Sequence, residues 1–421
     1  MKFKAKSMLA MAVLLSVLSV GRMAEAANFT YKIDGGAEHS WDGTSSLAGT
    51  GTKLEVWGEG QSTGYPIFGG SVNGTDNISN KTAILYSGTV NSAYGGAAYD
   101  GDATGNTVII HDGAAAVNDS DSVAPLGLDT SAVNSSVYGG YAHKGATTKN
   151  TVIFMGGTAK YISGGESEAP GAGASTENTV IINGGRIYFG NVYGGFSNGG
   201  AVNGNNVIIN GGDLSDASVY GYNDGASSHS DNILQINNSI AIKKVANFEV
   251  IDIFNAGSVT INELTVESGC ILKVDGAKIM GTAAIKGITG ATVASGAKLY
   301  VGSAVPNKNY KILEGSGISV ASWLTDEDMG EGFRAAYGLL VDNVVSTATE
   351  FTIRFKEDPL ALKKLDIPNI FFNKPIGSTL QKFIENVSFA NPNLSTQATV
   401  INTMANMNSL ANVQQGTQAV M

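Results

Sequence analysis

The sequence predicts an all-β fold, a parallel β-helix or similar β-solenoid, followed by a short C-terminal helical segment. Two observations carry the solenoid. A phrase built from an aromatic-Gly-Gly and an Asn-x-apolar-apolar-apolar run recurs six times, the first Gly of each copy standing at 69, 95, 139, 164, 194 and 221. Glycine is abundant, 55 of 421 residues, while proline is only 8, which is not the Pro/Gly balance of a disordered linker. A period of this length with short β-branched runs, Gly corners and no helical stretch is what a coil of stacked strands requires.

The first 26 residues stand apart from the fold. Lys2, Lys4 and Lys6 precede an uncharged, mostly apolar run from Met8 to Val20, and Ala24-Glu25-Ala26 has the small-x-small form of a secretory cleavage site, so cleavage is expected between Ala26 and Ala27. The run is too short to cross a bilayer, which takes about 20 residues. Without this segment 22 basic residues face 35 acidic ones, a net charge of −13, against −10 for the whole chain. That balance argues against nucleic acid or anionic lipid as a partner. One cysteine, Cys270, rules out an intramolecular disulfide in an exported chain, so stability must come from a long core or from repetition.

Residues 27–66 read as an N-terminal cap and 67–238 as six Gly/Asn-rich coils. The clearest copies run from Ala93 to Gly113, Val137 to Gly157 and Val192 to Gly212; weaker ones run from Ile67 to Gly88, Ile162 to Gly185 and Val219 to Asn238. Intervals between first glycines are 26, 44, 25, 30 and 27, the one long interval holding a polar insertion from Ala114 to Thr130. Runs such as NTVII are too short for a helix and are bounded by Asn and Gly, the pattern of a strand and a turn. Stacking at about 4.8 Å places Val108, Val152, Val180 and Val207 over one another in the interior. It places Asn106, Asn150, Asn178 and Asn205 in a column of hydrogen-bonding amides, and Tyr94, Tyr138 and Tyr193 in an aromatic stack. The pairs Gly95-Gly96, Gly139-Gly140, Gly164-Gly165 and Gly194-Gly195 mark the repeat, and Gly194-Gly195 and Gly211-Gly212 are expected at corners, where positive φ is needed.

Residues 239–358 keep alternating strands, as in SVTINELTVESGCILKVDG, with a different coil. Cys270 falls in one of these strands as a small buried hydrophobe. Residues 359–421 lose the glycine. There Val400, Met404, Met407 and Ala411 fall at helical spacing in Ser395 to Val413, with Asn393 or Ser395 as a cap.

Candidates for chemistry are few. His39, His111, His143 and His229 lack metal spacing, neither GDSG nor GxSxG occurs, and GEGQSTG (Gly58 to Gly64) precedes a proline and a strand rather than the helix of a phosphate loop. Asp119, Asp121 and the Asp326-Glu327-Asp328 cluster sit in loops and read as solvated. A carbohydrate-active enzyme would need carboxylates from adjacent coils to converge, with Asp100, Asp102 and Asp112 the candidates. No catalytic residue, cofactor or metal ligand is assigned. The variable segments between strands, such as FSNGGAVNG, are where contacts with a ligand are expected.

The signal segment, the YGG…NTVIINGG coils, the LTVESGCILKV strands, KNYKILEGSG and the C-terminal helical stretch together resemble the passenger region of bacterial autotransporters, particularly the adhesin-like ones. The resemblance implies a right-handed β-helix displayed on the cell surface or released, a non-enzymatic adhesin or structural role, and a host or neighbouring-cell ligand. It also implies an outer-membrane β-barrel as partner, which is missing from this chain; a truncated reading frame, a separate barrel polypeptide and simple release all fit. A polysaccharide lyase or hydrolase is the alternative. Export predicts that expression of the whole chain in a bacterial host yields protein outside the cytoplasm whose N-terminal residue is Ala27. Cell fractionation with N-terminal sequencing checks this, and recovery only in the cytoplasm refutes it.

Overall fold

The computed structural model describes residues 28–112, 114–116, 136–321, 333–335 and 339–357. The Ala26/Ala27 cleavage site, Asp119, Asp121, the Asp326–Asp328 cluster and the C-terminal helix lie outside the described residues.

Within them the chain is an all-β solenoid, with no helix. Each turn contributes a strand to two long sheets, and in the Gly/Asn-rich region also to a third, short sheet. In the first sheet Thr107–Ile110, Thr151–Phe154, Thr179–Ile182 and Asn206–Ile209 pair in parallel and in register, so Val108, Val152, Val180 and Val207 do stand over one another. All four are fully buried. The alternation that puts valine inside puts Thr107 and Ile109 outside, which is the period of two that every strand imposes. The second sheet answers with its own inward column, in which Ala93, Val137, Ile162, Val192 and Val219 are all buried.

The third sheet ends with Ser228–Ser230. Beyond it the turn shortens: Leu234 pairs with Ile251, only 17 residues on, because the chain no longer visits a third face. Both ends of the parallel stack are closed by antiparallel strands. Phe29–Ile33 pairs with Glu38–Trp41 and Lys53–Trp57 at one end, Asn309–Gly315 with Glu350–Glu357 at the other. The buried rings of Phe29 and Trp41, with centroids 4.9 Å apart, sit at the first end of the core. A stack of identical coils exposes unpaired edges at its ends, so such closure is a physical requirement.

At the corner between the third and first sheets lies the column of asparagines. Asn106, Asn150, Asn178, Asn205 and, one coil beyond the expected four, Asn232 are fully buried. Oδ1 of Asn150, Asn178, Asn205 and Asn232 accepts from both the backbone N–H and Nδ2 of the asparagine one coil earlier, at 2.9–3.2 Å. Each Nδ2 also donates to a backbone carbonyl, for example Asn150 to Ala103 at 2.8 Å and Asn232 to Val202 at 2.9 Å. The ladder runs one way. It starts where the Lys81 backbone N–H donates to Asn106 Oδ1, and ends where the Asn232 N–H donates to the Glu249 carboxylate at 2.7 Å.

The residue before each ladder asparagine takes a left-handed turn, at φ 65° for Gly105 and 66° for Gly204, but also at 57° for Lys149 and 55° for Glu177. Non-glycine residues there carry a penalty of roughly 1–2 kcal/mol, which the buried amide bonds offset.

One expectation is corrected. Gly194-Gly195, expected at a left-handed corner, forms a bend with neither φ left-handed, and the equivalent pairs Gly95-Gly96, Gly139-Gly140 and Gly164-Gly165 lie inside strands. Their cause is space. A Cβ on Gly165 would stand 2.5 Å from Asn178 Nδ2 and one on Gly195 2.6 Å from Asn205 Nδ2, so the ladder amide occupies the volume a side chain would need. Left-handed glycine corners occur at the second pair, at Gly157, Gly185 and Gly212.

Substituting Asn178 by Ala leaves the two buried donors of Asn150 without their acceptor, a loss of about 2–4 kcal/mol. The exposed Asn183→Ala should stay within about 0.5 kcal/mol, and Gly165→Ala should lose about 1–3 kcal/mol by crowding the ladder. Urea midpoints of the three variants against the parent check this order.

Candidate functional site

The outer face of the second sheet carries the aromatic stack, longer than the sequence suggested. Phe68 and Tyr94 have ring centroids 4.6 Å apart, Tyr94 and Tyr138 4.8 Å, and Tyr193 and Tyr220 5.1 Å. Strand register fixes these contacts, since Tyr138 pairs with Tyr94 and Tyr220 with Tyr193. In the fourth coil the register opposes Ser163, not an aromatic, to Tyr138 and Tyr193. Tyr161, two residues earlier on the same strand, leans into the gap, with centroids 5.6 Å from Tyr138 and 5.7 Å from Tyr193.

The neighbouring column departs at the same coil. Tyr141 and Phe196 pair with Glu166 from either side, so a carboxyl stands where the adjoining coils have rings. Tyr141 lies across the edges of the stack, 5.7 Å from Tyr94 and 5.6 Å from Tyr138 at steep angles. Glu166 is only 7% exposed and accepts a hydrogen bond from Tyr161 Oη at 2.5 Å.

Burial pushes the Glu166 carboxyl up to about 7, the nearby charge of Glu168 adds to the rise, and the Tyr161 hydrogen bond opposes it. The same surroundings raise the phenols: burial, then the Glu166 charge, takes Tyr94 up to about 12. Glu168 is exposed. It accepts from Tyr141 Oη, and its Oε2 lies 3.2 Å from His143 Nδ1. His143 stacks on Tyr99 at 4.7 Å, and Lys144, next in the chain, holds Asp100 in an ion pair at 2.6 Å.

The sequence candidates fall differently. Asp100 is engaged by Lys144, and Asp102 accepts the Ala146 backbone N–H at 2.8 Å. The acidic pair that falls together is the buried Glu166 and the exposed Glu168, which sequence reasoning missed. A signal existed: aligning the copies puts Glu166 of ISGGESE in the column of Tyr141 in VYGGYAH and Phe196 in VYGGFSN.

A second polar cluster sits where the ladder ends. Glu249 takes the Asn232 N–H on one oxygen and lies 2.6 Å from His229 Nδ1 with the other. The His229 ring stacks on Tyr222 at 3.8 Å, and Tyr222 Oη donates to Glu267 at 2.5 Å. Cys270 is buried nearby; burial, with the charges of Glu249 and Glu267, pushes its thiol up to about 12, so it packs as a small hydrophobe rather than as a nucleophile. Among the described residues no three His, Cys, Asp or Glu side chains are grouped to hold a metal ion.

A carboxyl whose folded value lies above its unfolded one holds its proton more tightly in the fold. Stability is therefore fully present below the unfolded value of 4.5, falls as pH rises, and carries the whole penalty above about 7. The span corresponds to about 3 kcal/mol. Glu166→Gln, which keeps an acceptor for Tyr161, should raise the denaturation midpoint at pH 8 and leave it unchanged at pH 4; equal effects at both would refute the buried charge. No protein-family model, curated protein or solved structure matches the chain.

Proposed function

We propose that the chain is an exported, surface-acting binding protein of the autotransporter-passenger kind, working without turnover on a host or neighbouring-cell ligand. The observation that supports this reading best is the outer face of the second sheet. Its aromatic column continues through six coils from Phe68 to Tyr220, and the loops after it bring Tyr99, His143 and Glu168 to the surface. Packing needs inward residues; it does not ask for a row of partly buried rings on the far face of the strand. A solenoid spaces such groups at about 4.8 Å along a straight line, which suits an extended contact surface.

A carbohydrate-active enzyme is the second reading, favoured by one observation: Glu166 is poised near neutrality beside an exposed Glu168, the divergence that separates acid from base in such enzymes. Against it, the Glu166 carboxyl is buried and tied to Tyr161, out of reach of a glycosidic oxygen.

The experiment is binding of the fluorescently labelled chain 27–421 to cultured mammalian cells and to bacterial cells, with heat-unfolded chain as control. Saturable binding lost on unfolding is expected. Absence of saturable binding to any cell refutes the binding role, and release of reducing sugar from polysaccharide, abolished in Glu166→Gln, would put the enzyme in its place.

A further inference from the structure

At its C-terminal end the second sheet finishes in three antiparallel strands, with Glu350–Glu357 hydrogen-bonded to Asn309–Gly315 on one side and to Leu339–Ser346 on the other. Alternation sends Phe351, Ile353 and Phe355 into the core and leaves Glu350, Thr352 and Arg354 on the outer face. Register sets their neighbours. Asn309 and Asn343 stand on either side of Arg354, Lys311 stands beside Thr352, and Glu314 stands opposite Glu350. All of these outward residues line one continuous groove of about 530 Å³, to which Gly281 and Thr282 also contribute. A single ligand in that groove therefore reaches all of them.

The two cations of the groove differ in what holds them. Lys311 is engaged from inside the groove, its Nζ 2.8 Å from Glu314 and 3.7 Å from Glu350. Arg354 is held from outside it. Its Nε donates to Asp342 at 2.5 Å, and Asp342 is not among the groove residues. That bond fixes the guanidinium by one edge, so its orientation is set before any ligand arrives. Among the described residues the Nη groups at its other end meet no acceptor, and the side chain is 42% exposed. A guanidinium end presented this way matches the two oxygens of a carboxylate through parallel, charge-assisted hydrogen bonds.

We propose that this groove binds an acidic sugar, a uronic or sialic acid residue of a surface glycan, with Arg354 as the carboxylate anchor. The Nη groups of Arg354 donate to the sugar carboxylate, and Asn309, Asn343 and Thr352 exchange hydrogen bonds with its hydroxyls. Glu314 and Glu350 keep lone pairs beyond those facing Lys311 and accept from further hydroxyls. An acidic peptide offers the carboxylate without the hydroxyls that these uncharged and acidic neighbours call for, and a neutral glycan leaves the Nη donors unpaired. The net charge of −10 does not oppose this, because charges more than about 8–10 Å away are screened at physiological salt. The site rests on the binding role proposed above and names its ligand class.

The test uses the labelled chain 27–421 on immobilised sialyllactose and oligogalacturonate, with lactose, carboxyl-reduced oligogalacturonate and hexaglutamate as controls, and on the cells described above. Binding to at least one acidic glycan, absent from its neutral counterpart and from hexaglutamate, is expected. Arg354→Gln should weaken it about tenfold or more, and Arg354→Lys, which keeps the charge without the fork, should restore only part of it. Arg354→Gln also leaves Asp342 without its partner, so thermal midpoints are measured alongside. If that variant fails to fold, the exposed pair Asn309→Ala and Asn343→Ala carries the test, with weaker binding expected at an unchanged midpoint. Equal binding to the neutral glycans or to hexaglutamate, or full acidic-glycan binding by a folded Arg354→Gln, overturns the site. Saturable cell binding without binding to either acidic glycan overturns the site and leaves the binding role intact. Absence of binding to any cell or glycan overturns both.

Discussion

The asparagine ladder is the constraint on which the rest of the solenoid depends. A coil that turns a sharp corner must bury backbone groups that no strand partner reaches, and those groups demand hydrogen bonds. Here the side-chain amide supplies them. Each buried asparagine meets its backbone neighbour and its counterpart in the next coil, so every polar atom of the amide is used. The bonds from one asparagine to the next all point the same way, from Lys81 toward Glu249, while each Nδ2 also donates back to a carbonyl of the preceding coil. A one-way chain of donors needs a final acceptor, and a carboxylate is the strongest the side-chain set provides. Glu249 therefore belongs to the architecture although it lies outside the repeat.

Much else follows from that corner. The amide takes the space of a side chain on the facing strand, so that strand must carry glycine at Gly96, Gly140, Gly165 and Gly195. The turn before the amide must be left-handed, and the chain accepts lysine or glutamate there because the ladder outweighs the local strain. Once the ladder stops, the third sheet stops with it, and the turns become shorter.

The outer surface obeys a weaker constraint. Inward valines are fixed by volume and amides by hydrogen bonding, but an outward position needs only to tolerate its neighbour one rung away. Rings stack well at that spacing, which allows an aromatic column without requiring it. The fourth coil shows the freedom this leaves. Ser163 and Glu166 replace two rings, Tyr161 moves across to fill one gap, and a carboxyl is left in an aromatic wall where burial holds it near neutrality. Such a departure carries an energetic penalty that the core does not need, which is why this face draws the functional reading.

The sequence by itself determined the period, the strands, the buried valine column and the asparagine column, because a solenoid repeats its physical demands at each turn and repetition is visible in letters. It also placed the tyrosines, though not the reach of their stack: Phe68, Tyr161 and Tyr220 join it through register and a two-residue shift along one strand. Tertiary structure alone decided the rest. Gly194-Gly195 looked like a corner of the same kind as Gly211-Gly212, since a glycine needed for left-handed φ and a glycine needed for lack of a Cβ are the same letter; only the facing amide tells them apart. Glu166, Glu168, His143 and Tyr99 come from three coils, and their separation in sequence depends on loop lengths. Their meeting at one surface is set by which rung lies above which, a property of the stacked coils.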